Sequence, residues 1–242
     1  GIVVAAGGLA PVVLLDAVSF VAAAAAVAAI TADTRPAGMH LDRVGSGVRA
    51  GLRALAANPP LRSVLTINGL SQIAQGGFVV LFVVYVIDAV GGDGGAVGLI
   101  RGTMAIGAVA GAALIGRVGP RVAPLLLLGF GYVGLGAVSL VFWNAAGWTS
   151  ATSVFMVLFA LSGLPGAALQ VGLFTVVQTT SPSGTLGRIA GVLTAGEAVG
   201  AAVGSILAGL LVDHVALVPL LDAQAGVYLV CGSLVLLLAR RH

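Results

Sequence analysis

The chain contains no lysine, a single glutamate and a single cysteine, and only 8% of its 242 residues are charged. Each scarcity excludes something. A soluble domain carries roughly a quarter charged residues to cover a surface that faces water. A chain this poor in charge, with 59% hydrophobic residues and a mean hydropathy of +1.15, is instead solvated by lipid. Without lysine there is no Schiff-base partner for a retinal. Cys231 alone makes neither an internal disulfide nor a thiolate metal site, and fits a small apolar residue packed in a helix. His40, His214 and His242 all fall in loops or at the end, so neither a metal cluster nor a nucleophile–base pair is expected inside the membrane. No enzyme, metal or cofactor is therefore expected. The net charge of +3 comes from arginines dispersed between hydrophobic segments, not from a basic soluble face, so no nucleic-acid partner is expected either.

What remains is a succession of apolar runs. Residues 122–187 carry no charge at all, enough for two spans of about 20 residues with a turn between them. The runs must be helical, because an open strand leaves its backbone polar groups unsatisfied in lipid. The expected fold is an all-α polytopic bundle of about seven transmembrane helices. The first complete span is expected near 12–30, preceded by the tail of an earlier one at 1–6. The others follow near 63–87, 96–116, 122–142, 151–177, 189–211 and 220–239. The chain opens on Gly1 without Met or a basic n-region, and is read as a fragment lacking an upstream part.

Charge sets the orientation. Arg35, Arg43, Arg49, Arg53 and Arg62, then Arg117 and Arg121, then Arg188, then Arg240 and Arg241 occupy alternate loops. The opposite loops hold Asp88, Asp93, Asp213 and Asp222 and the turn from Trp143 to Trp148. The positive-inside rule makes the arginine side cytoplasmic, with loop 31–61 and the C-terminus inside and both tryptophans in an outer aromatic belt. The expected location is the plasma membrane. Within the long loop, Val48, Leu52 and Leu55 share a helical face beside Arg49 and Arg53, which suits a short amphipathic helix in the headgroup region, stopped by Pro59-Pro60.

Two stretches align without gaps, GAVAGAALIG at 107–116 and GAAVGSILAG at 200–209. They occupy the second helix of successive triplets that cross in opposite directions. The chain thus reads as a 3+3 inverted repeat, 63–142 and 151–239, an arrangement typical of secondary transporters. The first helix of each triplet is interrupted, by Gly76-Gly77 in one and by Gly163, Pro165 and Gly166 in the other. Such glycines and prolines mark either a substrate site on a broken helix or close helix packing. Gly196, Gly200 and Gly204, and in the other repeat Gly107 and Gly111, recur every four residues and make flat faces for helix packing.

Few residues can carry chemistry. Asn68, Ser71, Gln72 and Gln75 form one polar stripe, with Gln170 as a partner across a cavity. These amides either read a solute or bridge helices. Glu197 lies nine residues past Arg188, about 13 Å deep at 1.5 Å per residue and so near the midplane. A charge there must be paired, protonated or wet. Glu197 is either a carboxyl that takes up and releases a coupling proton or a structural carboxyl bonded to a neighbouring helix. Arg101 and Asp16 are the other intramembrane charges, each a few residues into its span. Arg101 either snorkels, pairs with Asp88 or Asp93, or meets an anionic solute group.

These features resemble the major facilitator superfamily, in particular its bacterial branch of drug and siderophore exporters. APVVLLDAVSFVAAAAAV looks like the family's sixth helix, and GVRAGLRALAANPPLRSVL like the central cytoplasmic loop entering the seventh. GRVGPRV, with Arg117 and Arg121, matches the loop between helices eight and nine without its usual Asp. QTTSPSGTLGRIAG, with Gln178, Pro182 and Arg188, resembles the turn before helix eleven. The resemblance implies three regions: residues 1–30 as the end of an N-terminal half, 31–61 as the central loop, and 62–242 as a C-terminal six-helix half. It implies a secondary transporter of a small-molecule solute, by proton-coupled export, whose partner is the missing N-terminal half. Two alternatives stay open: a non-transporting membrane remnant, and a half-transporter that acts as a dimer.

Overall fold

The computed structural model describes residues 9–29, 44–182 and 184–240. The expected tail at 1–6, the end of the first span at Ile30, and the loop stretch with Arg35, His40 and Arg43 lie outside the described residues, as does Arg241. Eight α-helices are described: α1 Leu9–Ala28, α2 Val44–Ala56, α3 Pro59–Val84, α4 Gly94–Val118, α5 Pro124–Asn144, α6 Thr152–Thr180, α7 Leu186–Leu211 and α8 Leu217–Ala239. Among the described residues the six from α3 to α8 are long and apolar enough to cross a membrane. Each coincides within a few residues with an expected span. The expected first span falls on α1, an apolar helix of 20 residues. The fold is an all-α polytopic membrane protein.

Helix ends follow local chemistry. Asn58 caps α3: its Oδ1 accepts from the Leu61 N–H at 3.2 Å, and Pro59-Pro60 fill the first turn, where no N–H is needed. The same side chain donates from Nδ2 to the Thr180 carbonyl at 2.9 Å, tying the start of α3 to the end of α6. Asn58→Ala is expected to cost about 2 kcal/mol, the upper range for a lost cap. Asn58→Asp, which keeps the acceptor, should cost about half, since only one net hydrogen bond of about 1 kcal/mol goes. Thermal unfolding of the purified variants reads both. At the other end of α3 the helix widens into a π-turn, Tyr85–Ala89. There the Tyr85 hydroxyl donates to the Phe142 carbonyl at 2.8 Å and pins the turn to α5.

The packing exchanges the two triplets. α4 lies on α6 and α7 on α3, while α5 packs between α6 and α8, and α8 also meets α3. The second helix of each triplet therefore rests on the first helix of the other, the reciprocal contact that an inverted repeat produces. The aligned glycines make both crossings. A Cβ at Gly107 would strike the carbonyl of Ala160, and one at Gly204 the carbonyl of Ile73. Gly111 meets Leu164, and Gly200 meets Gln72 and Gly69. Gly196 departs from expectation: nothing lies within 4 Å of a Cβ placed there, so the flat face of α7 starts at Gly200.

The expected interruptions are packing devices too. α3 runs unbroken through Gly76-Gly77 and α6 through Pro165. Gly76 is pressed against the backbone of Ala201, and Gly163 against Met104 and Ala108. Small residues let backbones approach in lipid, where helices gain no hydrophobic drive to associate.

α2 forms as expected, with Gly51 set against the Arg188 carbonyl at the start of α7. Leu55 joins the core, but Leu52 stays half exposed, so the apolar face is narrower than the sequence suggested. The outward faces of α4 and α7 carry exposed Ile106, Val109, Val199, Ile206 and Leu210. Exposed apolar residues of this kind suit lipid or another helical body, not water.

Candidate functional site

The stripe on α3 is the spine of a polar network. Asn68 and Ser71 are buried, at 1% and 3% exposure. Asn68 donates from Nδ2 to Glu197 Oε1 at 3.0 Å, and its Oδ1 accepts from the Tyr132 hydroxyl at 3.0 Å. Ser71 Oγ lies 3.0 Å from the same hydroxyl and donates to the Asn68 carbonyl at 2.7 Å. One amide thus joins α3, α5 and α7. Two hydroxyl protons serve three contacts here, so the network has more than one hydrogen arrangement. The Asn68 amide bridges helices, the second of the two readings of the stripe, and bonds the Glu197 carboxyl.

One turn further along α3, Gln75 Oε1 accepts from the Tyr228 hydroxyl at 2.7 Å. Beyond it opens a cavity of about 120 Å³, set between α3, α4, α5, α6 and α8. Gln75, Ser139, Ser162, Gln224 and Tyr228 give it polar edges, and Phe78, Phe142, Trp143 and Phe159 give it aromatic walls. Drug-sized sites measure roughly 300–1,000 Å³, so this cavity holds only part of such a solute. Arg101 stands at its edge with the guanidinium 5.8 Å above the Phe78 ring. The pairing with Asp88 or Asp93 left open by the sequence is not formed among the described residues; an aromatic face takes the cation instead.

Other expected residues lie elsewhere. Gln72 is half-buried beside Gly200, and Gln170 is exposed on α6, outside this cavity. Asp16 is exposed on α1. Arg121 donates from Nη1 to the Arg117 carbonyl at 3.0 Å, closing the α4–α5 turn. Gln178, Pro182 and Arg188 are exposed around the α6–α7 turn. Trp143 corrects the aromatic-belt reading: it is 2% exposed, and its indole N–H donates to Gln224 Oε1 at 3.2 Å, while Trp148 remains exposed. Tyr132, Tyr228 and Gln224 were not expected. The signal was available for two of them, since Gln224 and Tyr228 stand four apart on an apolar helix, the pattern that revealed the stripe on α3.

Six apolar helices in exchanged triplets, held by an internal polar network beside a cavity, make a polytopic membrane protein. Residues 1–241 match the family described as transmembrane secretion effector, and the chain belongs to that family, within the major facilitator superfamily. No curated protein matches it.

Proposed function

We propose that the chain forms one six-helix half of a secondary transporter that exports a small molecule in exchange for protons, with Glu197 as the coupling carboxyl. The observation that carries this reading is the bond from Asn68 Nδ2 to Glu197 Oε1. It holds the chain's only glutamate, half-buried in its helix, against a hydroxyl network with spare hydrogen arrangements. A carboxyl at membrane depth is costly unless it works or is fully paired, and here the partner is a neutral amide, not a cation. The exposed apolar faces of α4 and α7 are the surfaces on which the N-terminal half would rock. The arginine-bearing turns, with Arg117, Arg121 and Arg188, would lie on the cytoplasmic side of the plasma membrane.

The test is efflux. A solute panel in cells producing the transporter identifies a substrate whose export stops when nigericin collapses the pH gradient. Glu197→Gln is expected to lose most of that export and to leave the remainder insensitive to nigericin. Export by Glu197→Gln that responds to nigericin as the unaltered protein does would reduce Glu197 to a structural carboxyl.

A further inference from the structure

We propose that the cavity beside Arg101 receives the aryl carboxylate end of the transported solute. This names a substrate class for the transport reading above and rests on it. The charge balance comes first. Among the described residues Arg101 is the one charged residue lining the cavity, so no described lining carboxylate neutralises it. Placing a cation within a span is costly, and a bound anion offsets that cost. Its guanidinium offers a fork of N–H donors that matches a carboxylate in two parallel bonds.

The polar edges point the same way. The indole N–H of Trp143 can only donate, so it holds the Gln224 amide with the oxygen toward itself. The Gln75 oxygen is taken by the Tyr228 hydroxyl, and Ser162 spends its proton on the Phe159 carbonyl at 2.6 Å. Each amide oxygen already accepts one bond, and the amide N–H groups stand as donors beside the guanidinium. A guanidinium with N–H donors beside it favours an acceptor-rich anion over an ammonium group.

The walls decide the rest of the ligand. Phe78 stacks on Phe159 with centroids 6.1 Å apart, and Phe142 meets Trp143 edge-on at 4.8 Å. Aromatic rings prefer such offset and edge-to-face neighbours. A dry cavity of roughly 150 Å³ accommodates one benzene ring. At about 120 Å³ this one has room for no more than a single ring, with its acid group at the open edge where Arg101 stands. A larger solute would leave its remainder outside.

The test reads binding without transport. In the purified full chain with Trp148→Phe, Trp143 is the only tryptophan, and it lines the cavity. Benzoate is expected to quench it saturably, with benzamide and benzylammonium at least about ten-fold weaker, the effect of losing one charge-assisted pair. Arg101→Gln should bring benzoate down to the level of benzamide, and Arg101→Lys should recover part of the difference. Circular dichroism confirms that the variants fold. Equal quenching by benzoate and benzamide, or benzoate binding unchanged in Arg101→Gln, would overturn the proposal. So would dioctanoylphosphatidylglycerol displacing benzoate, which would make Arg101 a lipid-headgroup site. Because no flux is measured, loss of benzoate binding leaves the Glu197 efflux test intact, and failure of that test leaves the binding result intact.

Discussion

Alanine at Gly107 or Gly204 is expected to destabilise the bundle by about 3 kcal/mol, the upper range for overpacking. On helix propensity alone the change should help, because glycine is about 1 kcal/mol worse than alanine in a helix interior. Sterics decide against propensity here. The added carbon at Gly107 meets the Ala160 carbonyl, and at Gly204 the Ile73 carbonyl. Backbone cannot step aside as a side chain can, so α4 must part from α6, or α7 from α3, along the whole crossing. Among the described residues Gly196→Ala on α7 meets nothing within 4 Å and is the control, expected to stabilise by up to about 1 kcal/mol through helix propensity alone. The protein supplies its own probe. Cys231 is the only cysteine and is fully buried, so labelling by a thiol-reactive dye during heating reports unfolding. Early labelling in Gly107→Ala and Gly204→Ala, with Gly196→Ala labelled no earlier than the unaltered protein, is the expected result. Equal melting of all three would mean that the crossings tolerate a Cβ.

Removing the amide at position 68 should cost a similar amount for a different reason. Asn68→Val leaves Glu197 Oε1 without its donor and removes one of the two acceptors within reach of the Tyr132 hydroxyl, which keeps Ser71 Oγ. A hydrogen bond to a charged group is worth about 1.5–3 kcal/mol and a neutral one about 1 kcal/mol, so a loss near 3 kcal/mol is expected. Glu197→Gln keeps an acceptor for Asn68 and should cost less than about 1 kcal/mol. The cycle through Asn68→Val with Glu197→Leu isolates the pair, because the double variant leaves no orphaned carboxyl. Couplings between polar pairs in membrane helices average about 0.6 kcal/mol and reach about 1.7 kcal/mol. A coupling near the top of that range marks a charged acceptor; one near zero would mean that Glu197 finds water or another partner once Asn68 is gone.

Much of this network was legible in advance on one side only. The spacing of Asn68, Ser71 and Gln75 announces a polar stripe, because side chains three and four apart share a helix face. It does not say what the stripe meets. Tyr132 stands alone among apolar residues on α5 and gives no periodic signal, yet it holds the centre of the network. Trp143 was misplaced for a related reason: position at a helix end suits a belt residue, but burial against Gln224 depends on α8, eighty residues further along the chain. Spacing groups Gly196 with Gly200 and Gly204, and only the contacts with α3 at Gly200 and Gly204 separate them.

The amino-acid sequence by itself determined the solvent and the helices α3 to α8 with their ends within a few residues, because an open strand cannot satisfy its backbone in lipid. It also determined which residues are too polar to face that lipid. Tertiary structure alone decided the pairings: Asn68 with Glu197, Gln75 with Tyr228, Gln224 with Trp143, and Arg101 with the face of Phe78. Those depend on how far two backbones can approach and at what angle, quantities set by glycines on both helices at once and carried by neither strip of sequence alone.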